Sequence, residues 1–173
     1  MDKKIFANNK ELLSAGKFIT GIAVFFLLFY FLFSLIPLEW FEFFYAKISF
    51  EFLKLLGFTG ELIFQEPVLI LLDNFSGIIK ISFLCTGLLE LWFIWSTTLA
   101  SFGIDLKKRI KGVIAGTIVL VCFNFIRILS TIIIIALFGL EAGDLSHEIL
   151  FKLFLFLTIA GFYYFWFNWA TKK

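Results

Sequence analysis

Residues 116 to 139 read "GTIVLVCFNFIRILSTIIIIALFG". Between its two glycines this stretch is apolar except for small hydroxyl residues, Asn124 and Arg127. About 20 consecutive apolar residues are what a helix needs to cross the hydrocarbon of a bilayer. A guanidinium near the centre of such a helix costs roughly 2.5 to 3.5 kcal/mol on insertion scales, so Arg127 is a functional candidate by default. Asn124 lies three residues before it, on the same helical face. The stretch therefore reads as a membrane span that carries a polar site.

The rest of the chain agrees. Of its 173 residues 61% are hydrophobic, 27 are phenylalanine and only two are proline. The mean hydropathy of +1.01 lies far outside the range of a soluble domain. Four segments are apolar and long enough to span, at about 17–36, 84–103, 112–138 and 149–169. Short alternating strands, the signature of a membrane barrel, are missing. The expected fold is an all-α polytopic membrane protein, one domain over 1–173. The first segment follows lysines as a signal peptide would, but it is of spanning length with no small-x-small site after it, and reads as a retained anchor.

The basic residues set the orientation. Ten of the 15 Lys and Arg fall on one side: Lys3, Lys4, Lys10 and Lys17, the "KKRIK" loop at 107–111, and Lys172 and Lys173. By the positive-inside rule this side, with both termini, is expected in the cytoplasm of a cell-membrane protein. The acidic residues gather on the other side. Topology accounts for the net charge of +2 without a nucleic-acid patch.

Residues 38–56 are apolar but interrupted by Glu39, Glu42, Lys47, Glu51 and Lys54, which predicts an outer interfacial or re-entrant helix. Turn signals at Pro67 and from Asp73 to Gly77, with β-branched runs around them, predict a short hairpin or extended segment before residue 83.

Beyond it, "FLCTGLLELW" at 83–92 places Cys85, Thr86 and Gly87 at the outer start of the second span, with Glu90 one turn on. A thiol at a helix N-terminus is lowered in pKa toward its nucleophilic form. A packed, inert cysteine is the plain alternative, and Cys122, about 15 Å along the third span, reads that way. Glu90 is a candidate ion-pair partner for Arg127. The single histidine, His147, stands at the outer start of the last span beside candidate caps Asp144 and Ser146. Cys85, Arg127 and His147 lie on three segments, and the topology directs all three to the same outer face.

Cys-Thr-Gly at 85–87, Asn-x-x-Arg at 124–127 and the following His147, in that order on successive membrane segments, resemble the exosortase/archaeosortase family of membrane-embedded cysteine transpeptidases. The resemblance covers residues 80–165. The chain is shorter than the many-spanning members and lacks a glycine soon after His147. The resemblance implies Cys85 as nucleophile, Arg127 as the invariant basic residue and His147 as the third member; Thr86, Gly87 and Asn124 of the same motifs, with Glu90 as ion-pair candidate, are read as supporting residues. It also implies substrates: exported proteins ending in a recognition motif, a membrane helix and a basic tail. The new C-terminus would pass to an amine or hydroxyl, a membrane lipid among the candidate acceptors.

The residue types suit that chemistry. A thiolate attacks a carbonyl, an imidazole moves protons, and a permanent cation suits an oxyanion better than a base role. One histidine and two separated cysteines form no metal-ligand set, so neither metal nor cofactor is expected. The alternative is a non-enzymatic membrane subunit or small transporter in which Arg127, Glu90 and Asn124 form a buried polar seam.

Overall fold

A computed structural model describes residues 2–73 and 77–172. Among the described residues six α-helices and three strands follow one another. They are α1 (Asp2–Ser34), α2 (Glu39–Leu55), β1 (Gly60–Ile63), β2 (Val68–Leu72), β3 (Ile78–Ile81), α3 (Leu88–Leu99), α4 (Leu106–Phe138), α5 (Leu140–Leu145) and α6 (Phe151–Thr171). A 3₁₀ turn, Phe83–Cys85, leads into α3, and a π-helical stretch, Ser146–Leu150, joins α5 to α6.

Among the described residues three helical stretches are long and apolar enough to cross a membrane: Leu13–Ser34, Leu106–Phe138 and the continuous run Leu140–Thr171. The chain is thus a polytopic, predominantly helical membrane protein. The expected second span, 84–103, is shorter than predicted. Only Leu88–Leu99 is α-helical, about 18 Å at 1.5 Å per residue, which falls short of the roughly 30 Å hydrocarbon. The reason is local. The Thr86 hydroxyl donates to the Phe83 carbonyl at 2.7 Å, and Gly87 takes a left-handed φ of 72°, so no α-helix runs through residues 83–87.

The long helices meet at the basic end of the bundle. Gly112 and Gly116, one turn apart on α4, lie against Trp166 of α6 and Ile94 of α3 respectively. A Cβ on Gly116 would come within 2.7 Å of Ile94; small residues at this spacing let helices approach closely. Trp95 Nε1 donates to Thr117 at 2.8 Å across the same seam. The α3 hydroxyls of Ser96 and Thr97 return their protons to carbonyls of the preceding turn, so they cost little in an apolar setting. Phe26, Phe29 and Phe33 of α1 close this half against Trp92 and Trp95.

The opposite end is built differently. At 33 residues α4 is about 50 Å long, so some 20 Å of it exceeds the hydrocarbon thickness. Toward its C-terminal end α4 carries Ile128, Ile132 and Ile135, which pack with Ile70, Ile79 and Ile81 of the strands and with Tyr45, Ala46, Phe50 and Leu53 of α2. The strands form an antiparallel sheet in the order β1-β2-β3, with Ile70 opposite Ile79 and Leu69 opposite Lys80. In β3 the burial alternates residue by residue, as the period of a strand requires. The extended segment expected before Cys85 is therefore a three-stranded meander, and the helix expected over 38–56 is α2. The turn anticipated from Asp73 to Gly77 lies mostly outside the described residues, as does Lys173.

Candidate active site

Cys85 ends the 3₁₀ turn, its N–H donating to the Ser82 carbonyl at 2.8 Å. Its position corrects one expectation: the first residue of α3 is Leu88, so the thiol does not stand on a helix N-terminus. What surrounds it is side chains. The Ser82 Oγ is 3.7 Å from Sγ, and His147 lines the same cleft as the thiol. Burial pushes the Cys85 thiol up, but the neighbouring His147 imidazole and Ser82 more than offset this, leaving it below its ordinary value.

His147 arrives from an unexpected backbone. Asp144 and Ser146 do not cap a new helix, because the helix has run on from Leu140; the Ser146 hydroxyl instead donates to the Gly143 carbonyl at 2.8 Å. The chain then takes one wide π-helical turn over Ser146–Leu150. Such turns widen a helix locally and recur at functional sites. His147 Nδ1 lies 3.8 Å from a Glu148 carboxylate oxygen, beyond hydrogen-bond distance.

Arg127 is 5% exposed on α4, 21 residues or about 31 Å from the start of the helix. Its Nη2 donates to the Cys85 carbonyl oxygen at 3.0 Å, and Asn124 Nδ2 donates to the same oxygen at 3.0 Å. The Asn-x-x-Arg pair thus grips the backbone of the cysteine it was expected to serve. Glu90 is not its partner: no ion pair joins them, and Glu90 sits in the first turn of α3, where a helix favours an acid. The Cys85 carbonyl takes the place expected for that carboxylate. Thr86 is fully buried, and its Oγ1 accepts from Leu88 N–H at 3.4 Å. Gly87 leaves room for Asn124, since a Cβ there would lie 3.0 Å from Asn124 Cγ.

Cys85, Arg127 and His147 line one cleft of about 270 Å³, together with Lys80, Thr131 and Asp144. A larger groove of about 1100 Å³ between α2 and the β1–β2 connection contains none of the three. Cys122 is exposed on the outer surface of α4, away from the cleft. Sequence reasoning missed Ser82, whose i,i+3 spacing to Cys85 fits a 3₁₀ turn, and Tyr45. Tyr45 is buried on α2, in the same core as Ile128 and Ile132 of α4.

A half-buried thiol, an imidazole and a guanidinium in one cleft of a polytopic membrane protein define the class: a membrane protein with a candidate cysteine-nucleophile site. The transmembrane exosortase family model matches residues 14–165, and the chain belongs to that family. The family is one of membrane cysteine proteases and transpeptidases acting on C-terminal sorting signals. No curated protein and no solved structure matches the chain.

Proposed function

We propose that this chain cleaves the C-terminal sorting signal of exported proteins through Cys85 and transfers the new C-terminus to an acceptor amine or hydroxyl. The observation that carries the reading is the shared cleft of Cys85, Arg127 and His147. His147 takes the thiol proton, and the thiolate attacks the scissile carbonyl. The tetrahedral oxyanion is met by a guanidinium N–H of Arg127 not committed to the Cys85 carbonyl. Collapse breaks the C–N bond, His147 returns its proton to the departing amine, and a thioester remains on Cys85. An acceptor amine or hydroxyl then attacks the thioester, gives up its proton to His147 and releases the thiolate, which takes that proton back. A membrane lipid is a candidate acceptor. We place the basic end and both termini in the cytoplasm, with the cleft at the outer face, where the motif of a substrate anchored by its own tail helix would stand.

Cys85→Ala tests this directly. In cells expressing a tailed substrate, the variant should insert at the normal level yet leave the substrate unprocessed, while Cys122→Ala processes it normally. A membrane-impermeant thiol reagent added to intact cells should label Cys85, and substrate tail peptide should block it. Normal processing by Cys85→Ala would leave a structural polar seam as the role of these residues.

A further inference from the structure

The sheet has two edge strands, and only one of them borders the cleft. In the order β1-β2-β3, strand β3 pairs with β2 on one side alone. Ile78, Ile79, Lys80 and Ile81, the whole of β3, line the cleft that holds Cys85, Arg127 and His147, and no residue of β1 does. Successive side chains of a strand point to opposite faces, so a cleft bordered by four residues in a row runs along the strand's edge rather than over one face.

The register shows which backbone groups that edge offers. Asp73 N–H donates to the Thr59 carbonyl at 3.0 Å, one step beyond the pair Gly60 and Leu72. Residues along an inner strand of an antiparallel ladder bond alternately to one neighbour and to the other. Asp73, Leu71 and Leu69 therefore bond toward β1, while Ile70 and Val68 bond toward β3, where their partners are Ile79 and Ile81. Ile78 and Lys80 are left with N–H and C=O directed away from the sheet. Among the described residues no backbone hydrogen bond from outside the sheet reaches either of them, and both side chains are exposed.

An open sheet edge is a template for a further strand, and a peptide added there is held mainly through its main chain. We propose that the cleft binds the recognition segment of the substrate as an extended strand paired with the open edge of β3 at Ile78 and Lys80. The inference rests on the substrate class proposed above and adds where, and in what conformation, the segment binds. The occupant follows from continuity with the reactive groups: β3 leads through Ser82 and the 3₁₀ turn directly to Cys85, so a strand on this edge is delivered to the thiol. Ile132, Ile135 and Leu140 supply apolar lining for its side chains. Beyond Cys85 the chain continues into α3, whose far end is capped from the basic loop. A substrate that enters the bilayer after its scissile bond runs the same way, which lays the residues before that bond parallel to β3.

The test uses the full-length chain in cells that express a tailed exported substrate. In a Cys85→Ala chain, which leaves the substrate intact, a photoreactive benzoylphenylalanine replacing Ile78 should cross-link to the recognition segment. The same group replacing Glu61 on β1 should not. With the cysteine present, Lys80→Pro removes the outward N–H and spares the bonds to β2, as proline at a strand edge can. Its KM should lie about tenfold above that of Lys80→Gln, which loses the same charge but keeps the N–H. Equal KM values in the two variants would overturn the inference. So would cross-linking from position 78 to a second copy of this chain, or substrate capture from 61 and 78 alike. Where Lys80→Pro fails to accumulate, the cross-link decides: substrate captured from 78 supports the added strand, and substrate processed by the parent chain but never captured from 78 overturns it. Capture at 78 by a chain whose cysteine-intact form processes nothing would reject the proposed function and leave the binding edge standing.

Discussion

Two arginines on α4 stand at opposite ends of α3 and do opposite things. Arg109 and Arg127 are 18 residues apart, five turns of helix and about 27 Å, so they share a face. Each donates to a backbone carbonyl flanking α3, and each has a buried Nε without a partner. Arg109 reaches Leu99 O at 2.7 Å and rests over the Phe102 ring at 5.8 Å. That carbonyl belongs to the C-terminal end of α3, where the helix dipole is negative and a cation contributes about 0.3 to 1 kcal/mol. Lys108 does the same for α6 by donating to Ala170 O at 2.8 Å. The basic loop that marks topology in the sequence therefore also caps two helices.

Arg127 breaks each of those rules. Its carbonyl lies just ahead of the α3 N-terminus, the positive end, where a cation is disfavoured. It is buried rather than half-exposed, and among the described residues no carboxylate pairs with it. A buried charge without a counter-charge weakens a fold rather than supporting it. Arg109 is explained by stability alone; Arg127 is not, and our reading assigns it to the cleft.

The largest expected effect comes from breaking that asymmetry at Arg127. Arg127→Ala should lower substrate turnover by on the order of 10² to 10³-fold, the usual consequence of losing an oxyanion donor. Arg127→Lys should recover little of this, because an ammonium cannot reproduce a planar fork that binds the Cys85 carbonyl and an oxyanion at once. Both are read as product formed per unit of folded protein. Native turnover in Arg127→Lys would remove the oxyanion role.

A smaller effect is expected where Asn124 meets the turn. Gly87→Ala puts an L side chain at φ 72°, costing roughly 1 to 2 kcal/mol, and its Cβ presses on the Asn124 amide. The thermal midpoint in detergent should fall, and turnover should fall about tenfold through the displaced amide, as conversion of 1.4 kcal/mol implies. A stability loss with unchanged turnover would separate Asn124 from the chemistry.

The contrast between the two arginines also shows what the sequence makes legible. A charge in an apolar run is visible because its cost is a property of residue type, so Arg127 and Asn124 stand out on hydropathy alone. Cys85, Arg127 and His147 fall into one cleft as the topology suggested, since hydropathy orders helices along the chain and helix rise sets their depth. The partner of Arg127 was not legible. It is a main-chain carbonyl, which every residue possesses, so residue type pointed instead to a carboxylate such as Glu90. Gly87 and Thr86 shorten α3 inside an unbroken apolar run, and their effect depends on a left-handed backbone that composition does not reveal. Tyr45 was hidden for a related reason: α2 carries Trp40, Phe44, Ile48 and Phe52 exposed on one face and a buried face on the other. Apolar on both faces but interrupted by charges, it reads as an interfacial or re-entrant helix until the sheet is seen against it.

The smallest effect is expected at Arg109, and it sharpens the comparison most. Capping a helix C-terminus requires a positive charge near the last carbonyls and little directional geometry, so Arg109→Lys should leave both the thermal midpoint and turnover close to wild type. Arg109→Ala removes the charge and the donor to Leu99 O together. It should cost about 0.5 to 1.5 kcal/mol, seen as a midpoint lowered by a few degrees, while the protein that remains folded turns over substrate at the native rate. Because the capped end of α3 lies about 27 Å from the level of Arg127, the Ala substitutions at the two positions should add without coupling. A tolerant Arg109 beside an intolerant Arg127 would assign one guanidinium to the bundle and the other to the cleft. If Arg109→Lys instead reduced turnover per folded molecule, α3 would be transmitting strain from its capped end to Cys85, and the division between a stabilising and a functional arginine would fail.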